Sequence, residues 1–233
     1  MNKGVCVVIG VGPGNGAAMA TRFAADGYRV VLCARDLQKL ENIAASIPGS
    51  VPVAYDVQDT EAGCAAFEQI RQQLGPIEVL VYNAGAGAFA NIDEATIESF
   101  QAAWEINCRG LFLAVKLALP DMRKLGKGNI VVIGATASIK GGANFLPFAS
   151  AKAGQRSMAQ SLARQLWPEK IHVSYVILDG IVNLKQTRLG MPDKPDEFFM
   201  EPSAIADSVF LLTQQNQQAW TFELDLRPYA EKW

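Results

Sequence analysis

The stretch at residues 5–16, VCVVIGVGPGNG, decides the fold of this chain. Its first half is an apolar run that predicts a buried strand, and a helical pattern begins just after it, near Ala17. Glycine permits a tight turn and a close approach of the backbone to an anion, and the amino end of a helix offers free N–H groups to a phosphate. The spaced glycines of the motif are Gly10, Gly14 and Gly16, and Gly12 lies between the first two. The stretch therefore predicts a nucleotide-binding turn, with an ordinary strand-to-helix turn as the alternative.

The same alternation of short apolar strands and longer helical segments continues along the whole chain. Most strand candidates are nearly continuous Val, Ile and Leu, which is typical of parallel strands covered by helices on both faces. The predicted strands are 4–9, 29–33, 51–55, 78–82, 129–133, 172–177 and 220–224. The predicted helices include 37–46, 60–74, 97–125 and 149–166. We expect one α/β domain over residues 1–233, with an irregular lid-like loop at about 184–201.

Composition excludes several classes of function. Half of the 233 residues are apolar and 19% are charged, which is an ordinary globular balance. The formal net charge of -2 provides no basic surface, so we expect no nucleic-acid partner. No apolar run approaches the ~20 residues that span a bilayer, so we expect no membrane partner. The four cysteines are scattered and His172 is the one histidine, which predicts no metal site, free thiols and a cytoplasmic location.

The end of the second predicted strand indicates which dinucleotide is bound. A carboxylate there would hold the ribose 2′-hydroxyl of NAD, whereas an arginine accommodates the 2′-phosphate of NADP. Here Ala34 leaves room, Arg35 supplies a charge that matches phosphate geometry, and Asp36 is a candidate helix cap. The sequence therefore predicts NADP(H) in preference to NAD(H), with a merely solvated Arg35 as the alternative.

With these motifs, the chain resembles the short-chain dehydrogenase/reductase family over nearly its whole length. The family's GxxxGxG spacing is present, although Ile9 stands where threonine is usual. The resemblance implies a single Rossmann-type domain: a doubly wound, seven-stranded parallel sheet with helices on both faces. The candidate cofactor-binding residues are Gly10, Gly14, Asn15, Gly16, Arg35, Asp56, Val57, Asn83, Ala84, Gly85, Lys152, Gly180 and Val182.

Several of these positions have a task implied by the resemblance. Asp56-Val57 is similar to the pair that brackets the adenine, and Asn83-Ala84-Gly85 is similar to the NAG motif that stabilises the sheet beside the cofactor. Gly180 resembles the glycine of the family's PG turn, with Asp179 where proline is usual. Val182 matches the position whose backbone touches the carboxamide.

The resemblance also implies the catalytic residues, and two positions depart from it. Asn107 matches the residue that holds a water in a proton relay, and Lys152 matches the lysine of the YxxxK motif. The tyrosine of that motif is replaced by Phe148, and Ala135 stands where the catalytic serine is usual. Positioned acid–base catalysis contributes about 10²–10⁴-fold, so we expect the loss of tyrosine to weaken carbonyl reduction without forbidding it.

Other side chains near these positions are candidates for a replacement proton donor. Thr136 and Ser138 follow Ala135, although hydroxyls in a turn more often bond the turn backbone. Ser150 lies two residues before Lys152 on the predicted helix, which turns it away from the lysine. Lys152 could itself protonate an intermediate through water, beside its role of holding ribose hydroxyls. None of the five tyrosines lies in the segment 134–152.

Taken together, the motifs predict an NADP(H)-dependent oxidoreductase that acts on a small carbonyl or an activated C=C bond with an altered proton donor. The alternative is a catalytically degenerate NADPH-binding protein, which serves as a sensor or as a partner subunit. The resemblance implies a homodimer or homotetramer built from the long helices at 97–125 and 149–166. The partner expected in the site is a small-molecule substrate.

Overall fold

The computed structural model describes residues 3–230. The two short strands β7 and β8 pair with each other, and every other strand joins one sheet. The strands are β1 (Val5–Ile9), β2 (Arg29–Ala34), β3 (Val51–Ala54), β4 (Ile77–Tyr82), β5 (Gly128–Ile133), β6 (Ile171–Leu178), β7 (Ile181–Val182), β8 (Phe199–Met200) and β9 (Glu223–Leu226). The helices are α1 (Asn15–Ala25), α2 (Leu37–Ala44), α3 (Thr60–Leu74), α4 (Ile97–Trp104), α5 (Gly110–Leu125), α6 (Leu146–Leu166), α7 (Lys185–Gly190) and α8 (Pro202–Thr213).

The main sheet confirms the predicted architecture. Its order is β3-β2-β1-β4-β5-β6-β9, and every neighbouring pair is parallel. The chain first moves outward from β1 to β3 and then returns to add β4 on the other side of β1. Such a reversal of strand order opens a crevice at the carboxyl ends of the two central strands, where ligands of open α/β sheets bind.

Apolar side chains cover both faces of this sheet. On one face, Phe67 of α3 and Leu111 of α5 are buried against side chains such as Tyr82 of β4. On the other face, Phe23 of α1 and Phe210 of α8 meet edge to face, with ring centroids 5.4 Å apart. The strands alternate between the two cores, which explains why almost all their residues are apolar.

The predicted helix 97–125 is interrupted by a π-helical turn at Glu105–Arg109, and this is the largest difference from the sequence-based expectation. Thr96 caps the first part, and the Thr96 and Ser99 side chains each accept a hydrogen bond from the other's backbone N–H. The turn ends at Gly110, where a Cβ would overlap the Tyr82 hydroxyl. The wide turn lets the helix continue while glycine keeps it close to the sheet.

The carboxyl-terminal part departs from expectation in three places. The last strand lies at Glu223–Leu226 rather than at 220–224. The loop expected to be irregular contains α7, a 3-10 turn at Asp196–Phe198 and the strand β8. Helix α8 was not among the predicted helices, although Pro202 at its first position is a common helix start. The predicted domain bounds 1–233 extend beyond the described residues at both ends.

His172 is a structural residue of β6. Its ring stacks on Trp220 at 4.7 Å between centroids, Trp167 packs edge-on against both rings, and its Nε2 lies 2.9 Å from the Thr221 carbonyl oxygen. Burial lowers the pKa of His172, although hydrogen bonds to the Thr221 and Leu212 carbonyls act in the opposite direction. The folded protein therefore favours the neutral ring.

This burial predicts a pH-dependent loss of stability. When folding lowers the pKa of a histidine, the unfolded chain takes up a proton at a higher pH than the folded protein does. The contribution of the neutral ring to stability is therefore complete above the ordinary pKa of about 6.5, and it is lost as the pH falls below that value. We expect the free energy of unfolding, measured with urea and Trp fluorescence, to fall more steeply with acidification in the wild type than in His172→Phe. Equal slopes for the two proteins would contradict the assignment.

Candidate functional site

The glycine-rich turn lies at the carboxyl end of β1, in the crevice predicted by the strand order. Gly10 has φ +86°, and a Cβ there would be 2.5 Å from Ala84 Cα, so only glycine fits. A Cβ on Gly12 would meet no atom within 4 Å in the described part of the chain, so this residue faces open space. Helix α1 begins at Asn15 without a side-chain cap or an acidic residue in its first turn. Its amino end is thus available to an anion.

One half of the cleft extends from this turn across the ends of β2 and β3. Its volume is about 290 Å³. Arg35 is exposed at the edge of this half of the cleft. Among residues 3–230, no side chain forms an ion pair or a hydrogen bond with the Arg35 side chain. Asp36 accepts a hydrogen bond from the Lys39 N–H at 3.1 Å, as expected of the cap of α2. Asp56 and the buried Val57 line the opposite side.

The segment after β4 forms the floor of this cleft. Asn83 Nδ2 donates to the Gly10 carbonyl at 2.7 Å, and the Asn83 main-chain N–H donates to the Ile9 carbonyl at 2.9 Å. These bonds tie the end of β4 to the glycine turn. Ala84 and Gly85 line the cleft beside them.

The second half of the cleft lies between the glycine turn and α7. Its volume is about 580 Å³, and its walls include Asn15, Gly16, Val182 and Lys185. The Leu184 side chain packs directly against Gly14. A Cβ on Gly14 would overlap this leucine side chain.

Gly180 and Asp179 shape the backbone before β7. Gly180 is packed so closely that a Cβ would be 2.7 Å from Pro228 Cδ and 3.0 Å from Met200 Sδ. Asp179 accepts a hydrogen bond from the Thr136 hydroxyl and pairs with Arg227 at 2.7 Å. Asp179 therefore anchors the carboxyl-terminal segment to the loop after β5.

Lys152 lies on α6 with 5% of its surface exposed. Its Nζ donates to the Ile133 carbonyl and to Gln155 Oε1, each at 3.0 Å. Burial lowers the pKa of Lys152 to about 8, and a smaller Coulombic effect of Cys108 acts in the opposite direction. The amine lies behind Gly85, which lines the cleft, because a Cβ on Gly85 would be 3.7 Å from Nζ.

Asn107 lies in the π-helical turn and is fully buried. Its Nδ2 donates to the Ala103 carbonyl at 2.8 Å and to the Ala86 carbonyl at 3.3 Å. Its Oδ1 has no hydrogen-bond partner among the described residues. Its main-chain carbonyl accepts a hydrogen bond from Gln155 Nε2 at 2.7 Å.

Phe148 stands one helical turn before Lys152, and its ring centroid lies 6.0 Å from Lys152 Nζ. The Phe148 ring packs edge-on against the Phe89 ring, with 5.5 Å between centroids. The Phe145 ring also packs edge-on against Phe89, with 5.0 Å between centroids. These phenylalanines form an aromatic cluster beside the amine. The aromatic ring that lies beside the Lys152 amine is thus that of Phe148, which carries no hydroxyl.

The hydroxyls considered as replacement donors all have hydrogen-bond partners in the protein. Thr136 donates to Asp179, Ser138 donates to the Ala135 carbonyl at 2.7 Å, and Ser150 donates to the Leu146 carbonyl at 2.7 Å. Ser138 thus satisfies the backbone of its own turn, as the sequence favoured, whereas Thr136 bonds the Asp179 carboxylate from another part of the chain.

Sequence reasoning missed two buried polar residues. Gln155 is fully buried and bonds both Lys152 and Asn107. Tyr175 comes from β6, and its hydroxyl lies 3.4 Å from Gln155 Oε1. The available signal for Gln155 was a polar residue on an otherwise apolar helix face. Tyr175 gave no signal, because an aromatic residue is common in a buried strand.

The comparisons with known proteins agree with this geometry. The family model described as short chain dehydrogenase matches residues 4–189. The chain belongs to the short-chain dehydrogenase family. By family, it is an oxidoreductase of the short-chain dehydrogenase type. Within residues 3–230, no helix has the length and apolar character to cross a bilayer, and no three His, Cys, Asp or Glu side chains are grouped to hold a metal.

Individual members of the short-chain dehydrogenase family match most of this chain. The 3-oxoacyl-(acyl-carrier-protein) reductase MabA of Mycobacterium bovis is 32% identical over 182 residues, which are 78% of this chain and 70% of MabA. The structure of a short-chain dehydrogenase from Rhodopseudomonas palustris is 35% identical with a TM-score of 0.83, covering 97% of this chain and 99% of that one. A metagenomic short-chain oxidoreductase in complex with NADP is 28% identical with a TM-score of 0.83, covering 99% of both chains.

Proposed function

We propose that this short-chain dehydrogenase is an NADP(H)-dependent oxidoreductase that acts on a small carbonyl or an activated C=C bond with an altered proton donor. One observation carries the proposal: a continuous cleft extends past the glycine turn, with Arg35 at its edge and with Gly85, which lies against the buried amine of Lys152, in its lining. The NADP complex of the metagenomic relative supports the choice of cofactor.

The residues of the cleft fit a dinucleotide. Gly12 faces open space and α1 presents an uncapped amino end, which together accommodate a diphosphate. Arg35 would hold the 2′-phosphate and Asp56-Val57 the adenine. Lys152 would hold the nicotinamide ribose, and the Val182 backbone the carboxamide. When bound, NADPH supplies the hydride, while the protein binds, orients and excludes water.

The proton chemistry rests on Lys152 because the neighbouring hydroxyls are engaged. Phe148 and Ala135 make the chain a divergent member, since neither can donate a proton where the resemblance expects tyrosine and serine. The Lys152 ammonium is a buried acid whose pKa of about 8 lies near neutrality, where general acids are most effective. An activated C=C substrate suits this site, because the negative charge can move onto an enolate oxygen, which Lys152 would protonate through water.

A carboxylate introduced at the turn tests the proposal directly. Since a Cβ at position 12 meets no described atom, Gly12→Asp should fold normally while it places a negative charge against the diphosphate. We expect NADPH to bind the wild type, and the affinity of Gly12→Asp to be at least about tenfold lower, for a repulsion above ~1.4 kcal/mol. Titration against Trp fluorescence measures both proteins.

Gly12→Ala is the matched control, and it should retain affinity and melting temperature. Failure of the wild type to bind either NADPH or NADH below millimolar concentration would refute the proposal. Equal affinities of Gly12→Asp and Gly12→Ala would place the diphosphate elsewhere.

A second candidate is an NADPH-binding protein without turnover, which serves as a sensor or a partner subunit. The engaged hydroxyls and the aromatic cluster around Phe148 favour it, because they leave an intact nucleotide cleft beside a site with few proton donors. Absence of NADPH oxidation with a panel of carbonyls and enones, together with tight NADPH binding, would select this candidate.

We also propose a homodimer or homotetramer in the cytoplasm, built as a single domain with the segment 184–201 as a lid. Large apolar side chains are exposed on α4 and α5, where the resemblance implies an interface. They are Ile97, Phe100, Trp104 and Phe112. All four cysteines are free, which supports a reducing compartment.

A further inference from the structure

One buried side chain joins the two residues expected to be catalytic. Gln155 lies on α6, one turn after Lys152, and is 0% exposed. Its Oε1 lies 3.0 Å from Lys152 Nζ, and its Nε2 lies 2.7 Å from the Asn107 main-chain oxygen. This orientation of the amide follows from chemistry, because an ammonium only donates hydrogen bonds and a carbonyl only accepts them. Gln155 therefore bridges the amine to the π-helical turn.

The bridge is made in a neutral environment. The second acceptor of the amine is the Ile133 carbonyl of β5, at 3.0 Å. The titratable groups that face the bridge are Cys108 from the π-helical turn and Tyr175 from β6. Burial raises the pKa of the Cys108 thiol to about 11 and also raises the pKa of Tyr175, so both are uncharged near neutral pH. The charge of Lys152 is thus stabilised by two neutral oxygens, and one of them belongs to Gln155.

The bridge also has a consequence for the cleft. Gly85 lies beside the bridged pair, since a Cβ there would be 3.7 Å from Lys152 Nζ and 3.4 Å from the unpartnered Asn107 Oδ1. An amine held by two acceptors in the protein has one remaining N–H for a group in the cleft. The main-chain carbonyl of Asn107 is already occupied by the Gln155 side chain.

We propose that Gln155 is the positioning residue of Lys152. The oxygen of its amide holds the amine against Gly85 and keeps it charged, and the nitrogen of its amide donates to the Asn107 carbonyl in place of solvent. This inference deepens the proposed function, because Lys152 is the residue that would hold the nicotinamide ribose.

Titration of Lys152 in the cofactor-free protein tests the role of Gln155. Protein labelled with ¹³C at the lysine Cε gives one NMR signal per lysine, and the signal absent from Lys152→Met is that of Lys152. Gln155→Met keeps the length of the side chain and removes the acceptor, so the Lys152 midpoint should fall by roughly one to two pH units, as expected for a lost hydrogen bond to a charge. Gln155→Glu places a carboxylate beside the ammonium, so the midpoint should rise by at least about one unit.

Gln165→Glu is the matched control, because it adds the same charge at an exposed position near the other end of α6. Its Lys152 midpoint should equal that of the wild type. Midpoints that are unchanged in Gln155→Glu, or that move in the same direction in both Gln155 variants, would overturn the proposal. If Gln155→Met does not fold, the rise expected in Gln155→Glu decides alone.

NADPH affinity measured across the same pH range separates this inference from the proposed function. The affinity should decline on the alkaline side at the Lys152 midpoint of each protein, and therefore at lower pH in Gln155→Met than in the wild type. A wild type that binds no NADPH at any pH would refute the proposed function, while the NMR titration would still decide the role of Gln155.

Discussion

The double variant Phe148→Tyr/Ala135→Ser is expected to reduce ketones with NADPH about 10²- to 10⁴-fold faster than the wild type, which is the usual contribution of a positioned acid. Lys152 Nζ lies 6.0 Å from the centroid of the Phe148 ring, and the resemblance implies that the tyrosine hydroxyl of the YxxxK motif acts beside this amine. The positive charge of the amine would lower the pKa of that hydroxyl and favour transfer of its proton. The decrease of NADPH absorbance with a panel of ketones gives kcat/KM for both proteins.

Phe145→Tyr is the matched control for this experiment. Phe145 packs on the same Phe89 ring as Phe148 does, but it lies outside the helical turn that carries Lys152. We expect no gain from Phe145→Tyr. If the double variant binds NADPH as the wild type does and still reduces no ketone, Phe148 and Ala135 do not stand in the catalytic positions.

Arg35→Ala should weaken the binding of NADPH by roughly 10- to 100-fold and leave NADH nearly unchanged. Hydrogen bonds to a charged group contribute about 1.5–3 kcal/mol, and 1.4 kcal/mol is a factor of ten. Arg35 is exposed at the edge of the cleft and forms no ion pair with any described residue, so its removal costs the fold little. Fluorescence titration with both nucleotides measures the change in preference.

Lys39→Ala controls for a general loss of positive charge near the cleft. Lys39 pairs with Asp36 at 2.8 Å and lies close to Arg35 in the chain. It should leave the preference for NADPH over NADH unaltered. An equal loss of affinity for NADPH and NADH in Arg35→Ala would refute the assignment of Arg35 to the 2′-phosphate.

Most of the sheet could be predicted because parallel strands buried on both faces leave an unambiguous apolar pattern. The run from Val5 to Ile9 is one example, and the strand ends differ from prediction by only a few residues. The last strand was misplaced because Trp220 has the aromatic character of a strand residue but stacks on His172 before β9 begins. Local pattern cannot distinguish an aromatic that extends a sheet from one that covers its edge.

The site was predictable only where a local motif carries the chemistry. The glycine turn, Arg35 and Asp56-Val57 are contiguous in sequence with their strands, and all line the predicted cleft. Gln155 was missed because its importance depends on what lies opposite it, namely the Asn107 carbonyl from another helix. The π-helical turn was missed because one extra residue leaves the apolar periodicity of 97–125 readable as a single helix.

The wide turn at Glu105–Arg109 gives this long helix a position at which its length can change. A π-helical turn holds one residue more than an α-helical turn, so loss of one residue there would leave a regular α-helix with the buried face of α5 in place. A deletion within α5 has no such slack. Each residue rotates an α-helix by about 100°, so the buried Ala118 and Met122 would turn away from the sheet. A shortened reading frame is therefore selected against far more strongly within α5 than within the turn, where the effect falls on Asn107.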